Sequence, residues 1–483
     1  MSRPVLTPAE LVAADRRAVE AGTSEEQLVA RAGRAVAWTV RHVLGGTYGR
    51  RVAVVCGKGN NGADGRVAAA VLRRWGVGCD LLSLDALDAA SVGRAASRAD
   101  AVIDAMFGTG FRGTLEGPAA AVAATLDAHP DIPVVSVDVP SGVDGLTGAV
   151  RGPVVHALVT VTFTALKPGL LFEPGRSAAG AVRLVDIGIE PVSGGPTLVV
   201  LDATDVVLPV RVRDAHKWSA GLMVVAGSPG MLGAALLVSH AAARCGAGMV
   251  VSGLPADAAR RVAGSEVVTR ALPATPEGLL DEDAARLVLR DLGRFRALAL
   301  GPGLGRDDRT QAAVRRLVAE APVPVVVDAD ALHALGGDAA ALRVRRTAGL
   351  PPAVLTPHAG EYVRLAGEAV GDDRVDAARR LAARLHAVVL LKGPGTVVAS
   401  PEGHACVNTT DSELLATAGT GDVLTGMIGG LLAQGVDAFE AAASAAWLHG
   451  RAAQLACTGD ALVAGDLVDA LPRTLASIDD RED

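Results

Sequence analysis

Short runs of β-branched and other apolar residues recur along this chain, separated by longer alanine-rich stretches with helical spacing. The first are RVAVVC (51–56), AVIDAMF (101–107), PVVSVDV (133–139) and VVHALVTVTF (154–163). A strand wetted on one face alternates polar and apolar residues, whereas a strand buried on both faces reads as a continuous apolar run. Such runs alternating with helices predict parallel sheets covered on both sides, an α/β architecture. The pattern stops around residues 190–213, which hold proline and glycine and no clear helix. It resumes with GLMVVAG (221–227), ALALGPG (297–303), VPVVVDAD (323–330), AVLTP (353–357) and AVVLLKGPGTVVAS (387–400). A boundary near residue 205 is therefore expected, with one α/β domain over 1–205 and a second over 206–483.

Ahead of the first run, residues 7–45 read as two helices. Thr7 is placed as an N-cap with Pro8 at the first helical position. The stretch Thr23-Ser24-Glu25-Glu26 predicts a capping box in which Glu26 reaches back to the Thr23 amide.

The 483 residues are enough for two cores, with 50 % hydrophobic and 20 % charged residues. Aromatics make up only 2 %, so Val, Leu and Ala must fill those cores. A net charge of −7 argues against a nucleic-acid partner, which selects for a basic field. The five cysteines are scattered and form no CxxC pair, so neither a disulfide framework nor a zinc site is expected and a cytoplasmic location is. Apolar runs are interrupted by charge or glycine before reaching the roughly 18 residues a membrane span needs. The first twenty residues mix acids and bases where a signal peptide would be apolar.

Two segments carry chemistry. GKGNNGADG (57–65) follows an expected strand and precedes an expected helix, where backbone N–H groups and a helix N-terminus attract phosphate. It lacks the Gly-Lys-Ser/Thr ending of the Walker loop, and a plain strand–helix turn would look the same. Asp104 and Asp138 sit within later apolar runs, the first ahead of GTGFRGT (108–114), the second ahead of Ser141. Carboxylates at the C-terminal ends of parallel strands line the crevice where ligands bind. In the second half, GTGDVLTG (419–426) precedes another apolar helical stretch, putting Gly421 amides and Asp422 at a helix start. Asp422 there is either a base beside an anion hole or a simple cap. Lys392 ends an apolar run, where an ammonium is costly unless paired, and a phosphate would pair it. His358, after a proline in TPHAGE (356–361), is either a ligand-binding group or the holder of a turn.

Together GKGNNGADG, DAMFGTGF and VDVPSGVDG resemble the signature of NAD(P)H-hydrate epimerases. GTGDVLTG, KGPGT (392–396), TPHAGE, GPGLG (301–305) and GSPGMLGAALL resemble the ADP/ATP-dependent NAD(P)H-hydrate dehydratases, on a ribokinase-like fold. The resemblance implies a Rossmann-like three-layer αβα domain followed by a ribokinase-like α/β domain. It implies an enzyme that epimerises the R and S hydrates of NADH and NADPH and dehydrates the S hydrate back to NAD(P)H. ADP is the implied co-substrate, converted to AMP and phosphate, with Mg2+ beside it. Hydrated cofactor is implied at Asn60, Asn61, Gly62, Ala63, Asp64 and at Gly108, Thr109, Gly110, Phe111, Arg112, Gly113 and Thr114, with Asp138 against the altered ring. In the second domain it falls to Ala234, Gly303, His358 and Asp422. Lys392, Gly393, Pro394, Gly395, Thr396 and Gly421 are implied to hold the nucleotide, with Asp422 and Asp138 catalytic. Potassium is implied at Asn61, Asp104 and Ser141, a set of hard oxygens with no histidine or cysteine that would suit zinc or copper. A homo-oligomer, tetramer or larger, is also implied. Ala63 stands where the family has glycine, and its Cβ would strain a loop with positive φ. The competing reading is a ribokinase-like kinase for a small alcohol, such as a vitamin precursor, with an N-terminal dinucleotide-binding module.

Overall fold

The structure is a computed structural model describing residues 3–86, 89–191, 197–262, 266–337, 339–456, 459 and 461–479. Residues 192–196, within the expected boundary segment, and Cys457 lie outside that set. The chain forms two compact units, one of Arg3–Val199 and one from Val200 onward.

The first unit is built on six parallel strands: β1 (Arg51–Cys56), β2 (Gly78–Ser83), β3 (Ala101–Ala105), β4 (Val134–Val137), β5 (Val159–Phe163) and β6 (Ala181–Val185). They lie in the order β2-β1-β3-β4-β5-β6. Alternate residues of each run serve opposite faces. Val52, Val54 and Ile103 pack with Val36 and Val40 of helix α1 (Glu25–Val43) and Ala68 and Leu72 of helix α2 (Asn60–Arg74). Ala53, Val55 and Val102 pack with Val122 and Leu126 of helix α3 (Gly117–Asp127) on the other side. That is the three-layer arrangement expected, and it explains why the runs are continuous. Each fully buried Val or Leu here contributes about 1.5–3 kcal/mol.

The helix before α1, Pro8–Glu20, starts as expected with Thr7 as N-cap, Pro8 at the first position and Glu10 closing a capping box. The second start is shifted. Ser24, not Thr23, caps α1, and Gln27, not Glu26, returns the bond. Ser24 has the extended backbone an N-cap needs, with Gln27 three residues on. The run 154–163 is a strand only over β5; the residues before it are irregular.

In the second unit nine strands follow one another in one sheet. They are β7 (Gly221–Val225), β8 (Met249–Pro255), β9 (Val268–Leu272), β10 (Ala297–Leu300), β11 (Val325–Val327), β12 (Val354–Leu355), β13 (Val388–Leu391), β14 (Thr396–Ala399) and β15 (Ala405–Asn408). Their order is β15-β14-β13-β12-β11-β10-β7-β8-β9, parallel from β9 to β13 and antiparallel thereafter. The run 387–400 is thus a hairpin and not one strand. Gly393, with φ 145°, and Gly395, with φ 66°, turn the chain where a side chain would resist. Helix α4 (Leu232–Arg244) packs closely on helix α5 (Thr420–Ala433): a Cβ on Gly426 would lie within 2.2 Å of the Val238 carbonyl oxygen. Small residues on α5 set that approach.

Cys56, Cys79, Cys245 and Cys406 are free thiols. Among the described residues no helix is long and apolar enough to cross a membrane.

Candidate active sites

In the first unit the functional side chains all follow the C-terminal ends of adjacent parallel strands, the edge where open α/β sheets bind ligands. A cavity of about 930 Å³ opens there, lined among others by Asn61, Asp64, Thr109, Asp138 and Lys167. The segment expected as a glycine loop is a loop only to Gly59; Asn60 to Asp64 form the first turns of α2. The helix extends further back because Gly59 serves as its N-cap, and the Ala63 amide donates to the Gly59 carbonyl at 3.1 Å. Ala63 has no positive φ, so the strain its Cβ was expected to cause is absent. The strict glycines are its neighbours. A Cβ on Gly62 would stand 1.9 Å from the Gly57 carbonyl oxygen, and one on Gly57 2.0 Å from that of Met106.

Asp104 is fully buried at the end of β3. One oxygen accepts the Ser141 hydroxyl at 2.6 Å; the other accepts the Ser141 amide at 2.9 Å and the Ser136 hydroxyl at 3.0 Å. Burial pushes its carboxyl above the ordinary carboxylate range despite those bonds. Asn61 donates its amide to the Phe107 carbonyl at 2.7 Å, and the Phe107 amide donates to the Ser141 hydroxyl at 3.1 Å. Asn61, Asp104 and Ser141 are thereby tied into one cluster. The Asn61 Oδ1 is buried with no hydrogen-bond partner. A buried acceptor left unpaired is costly, and a cation coordinated by oxygens would satisfy it. The donor set of amide oxygen, carboxylate and hydroxyl fits potassium.

Asp138 follows β4 with φ 68°, a left-handed backbone that few non-glycine residues adopt. Such strain collects at functional sites. Its Oδ1 lies 2.6 Å from the Lys167 Nζ, and its Oδ2 accepts the Thr109 amide at 2.9 Å. Lys167, buried in the floor, also donates to the Thr162 hydroxyl at 2.8 Å and the Phe163 carbonyl at 2.9 Å. The loop Gly108 to Thr114 is pinned by Arg112, which meets Asp144 at 3.4 Å and donates to the Thr109 and Phe111 carbonyls. Gly113 has φ 89°, and the Thr114 hydroxyl donates to the Arg151 carbonyl at 3.3 Å. Gly110 is exposed, and Phe111 stacks near Phe107 at 5.3 Å between ring centroids.

Lys167 and Asp15, both lining this cavity, were not singled out in the sequence. Lys167 follows the run VTVTF, and a lysine at the C-terminal end of a buried strand is the same signal that marked Asp104.

The second unit repeats the principle. Asp328, Thr356 and Lys392 follow β11, β12 and β13 in turn. The Lys392 Nζ donates to Asp328 Oδ1 at 2.8 Å, with Glu361 Oε2 at 3.9 Å. A carboxylate therefore pairs this lysine, where a phosphate was expected. Thr425 of α5 donates its hydroxyl to Asp328 Oδ2 at 2.7 Å. Burial opposes the charge on Asp328, yet Lys392 and these hydrogen bonds hold its carboxyl below the ordinary value. Burial likewise opposes the charge on Lys392, and Asp328 with Glu361 outweighs it, raising the lysine.

Gly419, with φ 89°, is the N-cap of α5, and Asp422 lies in the first turn without capping it. Burial, then Asp328, pushes Asp422 up to about 6, against the pull of Lys392. Gly421 sits against Lys392 and Asp328: a Cβ there would be 3.6 Å from the Lys392 Nζ. Gly393, Pro394 and Gly395 form the β13–β14 turn; the Gly395 amide donates to Asp411 at 2.7 Å and the Thr396 hydroxyl to the Gly393 carbonyl at 3.1 Å. Gly303, with φ 67°, follows β10 beside Ala234 of α4, whose Cβ would be 3.1 Å from a Cβ on the glycine. His358 is the N-cap of Ala359–Ala366, its Nδ1 accepting the Gly360 amide at 2.9 Å, and its side chain is exposed. It holds a turn in this structure, with its other ring nitrogen free of that task. Asp328, Glu361 and Thr425 were missed as site residues, although the run VPVVVDAD carried Asp328 at a strand's end.

Two α/β units, each with charged groups and helix-start amides gathered at the C-terminal edge of a parallel sheet, define a two-site enzyme for nucleotide-like ligands. A family model described as NAD(P)H-hydrate dehydratase matches residues 222–475, and one described as the YjeF-related protein N-terminus matches residues 25–91 and 83–169. A bifunctional NAD(P)H-hydrate repair enzyme Nnr from Moorella thermoacetica is 39 % identical over 487 residues, 91 % of this chain and 90 % of its own. The enzyme of the same name from Salinibacter ruber is 37 % identical, covering 98 % of this chain and 96 % of its own. Among solved structures, an ADP/ATP-dependent NAD(P)H-hydrate dehydratase from Bacillus subtilis, co-crystallised with ATP and Mg2+, is 32 % identical. It covers 56 % of this chain and 94 % of its own, with a TM-score of 0.47. The chain belongs to the bifunctional NAD(P)H-hydrate repair enzyme family.

Proposed function

We propose that this chain repairs hydrated nicotinamide cofactors, epimerising the R and S hydrates of NADH and NADPH and dehydrating the S hydrate with ADP as donor. Residues 1–205 carry the epimerase and 206–483 the dehydratase. The observation that supports the pairing most directly is the presence of a complete polar site in each unit, Asp138 with Lys167 in one and Asp422 with Lys392 and Asp328 in the other.

Hydrated NADH carries a hydroxyl on ring carbon 6, beside the ring nitrogen. When that C–O bond breaks, the nitrogen lone pair forms an iminium. The Asp138 carboxylate, fixed by Lys167 and the Thr109 amide, stabilises that cation electrostatically. Water adding to the other face gives the other epimer. Asn61, Asp104 and Ser141 would hold K+, which would supply fixed positive charge beside the cavity.

In the second unit the amides at the start of α5 receive the terminal phosphate of ADP. The C6 hydroxyl attacks that phosphorus, its proton passes to Asp422, and the bond to AMP breaks. Phosphate then leaves C6 with the bonding pair, and loss of a proton from the neighbouring carbon restores NADH. Among the described residues no group of three or more His, Cys, Asp or Glu could hold a metal alone. Mg2+ would be held mainly by the ADP phosphates and water, and would neutralise phosphate charge. Ala234, Gly303 and His358 face the hydrated ring, and Lys392 to Thr396 with Gly421 the nucleotide. The working form is a cytoplasmic homo-oligomer, a tetramer or larger.

The test is recovery of NADH absorbance from a mixed pool of hydrated epimers, with ADP or ATP. Full recovery with a nucleotide and none without supports the reading; recovery without any nucleotide overturns it.

A further inference from the structure

Epimerisation through an iminium needs more than a stabilising anion. The hydroxyl leaves as water only if something protonates it, and the same proton must be recovered when water adds back. Asp138 is poorly placed to be that acid: one carboxylate oxygen is already taken by an ammonium at 2.6 Å and the other by a backbone amide at 2.9 Å. Lys167 is poorly placed as well. Its three N–H bonds are taken by Asp138, the Thr162 hydroxyl and the Phe163 carbonyl, so none points at a ligand.

Asp64 lines the same cavity from the second turn of α2, and its side chain is buried. Asp64 and Asp138 thus bring two carboxyl groups to one cavity.

We propose that Asp64 is the acid–base group of the epimerase, a catalytic residue in the same cavity as Asp138. Its proton passes to the C6 oxygen; the C6–O bond breaks with its electron pair on oxygen, releasing water; and the ring-nitrogen lone pair forms the C6=N bond. When water adds to the opposite face, that pair returns to nitrogen; the water's extra proton passes to solvent water in the open cavity, which returns one to the Asp64 carboxylate. Atoms and charge balance with no further reactant. The proposal rests on the epimerase reading of the first unit.

The surroundings of Asp64 keep its proton in place. Burial, then the negative charges of Asp138 and Asp15, push its carboxyl up to about 8. Asp15, on the helix Pro8–Glu20, lines the same cavity, and burial there pushes its own carboxyl above the ordinary value against the pull of Lys167. The other charged groups around the cavity are occupied elsewhere. Lys58 pairs with Asp85 at 3.1 Å and Arg16 with Glu20 at 2.8 Å, all in solvent. Arg31 of α1 donates to the Ile187 carbonyl, Arg66 of α2 to the Gly57 carbonyl, and Asp104 is held by Ser136 and Ser141. Glu25 reaches the cavity only from the exposed start of α1. Among the described residues Lys167 is the cation buried in the floor, and it faces Asp138 at 2.6 Å.

The experiment measures epimerisation by the full chain across pH, corrected for the spontaneous rate, in wild type, Asp64→Asn, Asp64→Glu and Asp15→Asn. Wild-type kcat/KM should fall on the alkaline side, with a limb near the pH at which Asp64 loses its proton. Asp64→Asn keeps the shape of the side chain and should lose about 10²–10⁴-fold, the usual worth of a positioned acid–base group, along with the limb. Asp64→Glu should recover part of the rate, separating proton transfer from structure. Asp15→Asn should move the limb to lower pH. Carbon-13 titration of the carboxyl groups gives a second readout: one carboxyl titrating above neutrality in wild type and missing from Asp64→Asn. An Asp64→Asn chain that keeps pace with a wild type that epimerises overturns the proposal, as does the absence of any such carboxyl. A wild type that leaves the epimer ratio untouched overturns the epimerase reading, and this proposal with it.

Discussion

The Lys392 ammonium and the Asp328 carboxylate meet at 2.8 Å beneath the first turns of α5, with the Thr425 hydroxyl on the far carboxylate oxygen. Asp328 is 2 % exposed and Lys392 21 %, so the pair is largely removed from water. Removing one member of such a pair leaves a buried charge without its counterion, which costs about 3–5 kcal/mol. Asp328→Asn is expected near the lower end of that range, because Lys392 keeps some water and Glu361 at 3.9 Å remains. Denaturant unfolding of the second unit measures it, and Asp328→Asn should also weaken nucleotide binding by displacing Lys392.

Asp422 shares that pocket, and its carboxyl titrates at about 6. As a base it must be ionised, so dehydration should rise as pH increases through about 6 and level off above it. Asp422→Asn should lower turnover by about 10²–10⁴-fold and leave nucleotide affinity largely unchanged. Initial rates from pH 5 to 8 on the S hydrate give both results; a pH-independent wild type would remove Asp422 from the role of base.

Much of this was legible in the sequence, and the reasons differ from place to place. Continuous runs such as RVAVVC announced strands buried on both faces because Val52, Val54 and Val55 each serve a packed layer. Asp104 and Asp138 stood out as charges inside apolar runs. The less apolar strands β2 and β6 left no such run, since most of their residues keep contact with solvent. The lysine partners of the site carboxylates Asp138 and Asp328 were not legible, because Lys167 lies 29 residues from Asp138 and Lys392 lies 64 from Asp328. Only the order of strands in the sheet brings them together. The helix start at Asn60 was hidden for a local reason: glycine-rich sequence reads as loop, although Gly62 and Gly65 are helical glycines kept small by close backbone and side-chain neighbours.

Ala63 and Gly62 make opposite predictions from adjacent positions. Ala63 sits in a helical turn with ordinary φ, so Ala63→Gly should not improve epimerisation and should cost the first unit about 0.5–1 kcal/mol through lost helix propensity. Gly62→Ala places a Cβ 1.9 Å from the Gly57 carbonyl oxygen, which forces the turn and α2 apart. Epimerisation should be lost in Gly62→Ala while dehydration of the S hydrate continues. Thermal melts with both assays distinguish the two substitutions.

The cluster of Asn61, Asp104 and Ser141 makes the last prediction. Asp104 is buried and already accepts bonds from Ser136 and from both the amide and hydroxyl of Ser141, while Asn61 Oδ1 is buried with nothing to accept from. One carboxylate with neutral oxygens gives too little charge for a tight divalent site, and oxygens without sulfur or imidazole disfavour zinc and copper. A large monovalent cation suits the set. Replacing potassium by lithium in the assay should therefore slow epimerisation and leave dehydration of the pure S hydrate unchanged. Asn61→Leu, which removes the unpaired oxygen without touching the bonds that hold Asp104, should abolish the dependence on potassium. Asp104→Asn should lose the same dependence, and near-ultraviolet circular dichroism checks that the first unit keeps its packing. Crystals grown in thallium, a potassium surrogate with strong anomalous scattering, should show a peak among these three residues. Equal epimerisation rates in potassium and lithium, or a divalent ion at that place, would remove the cation from the account.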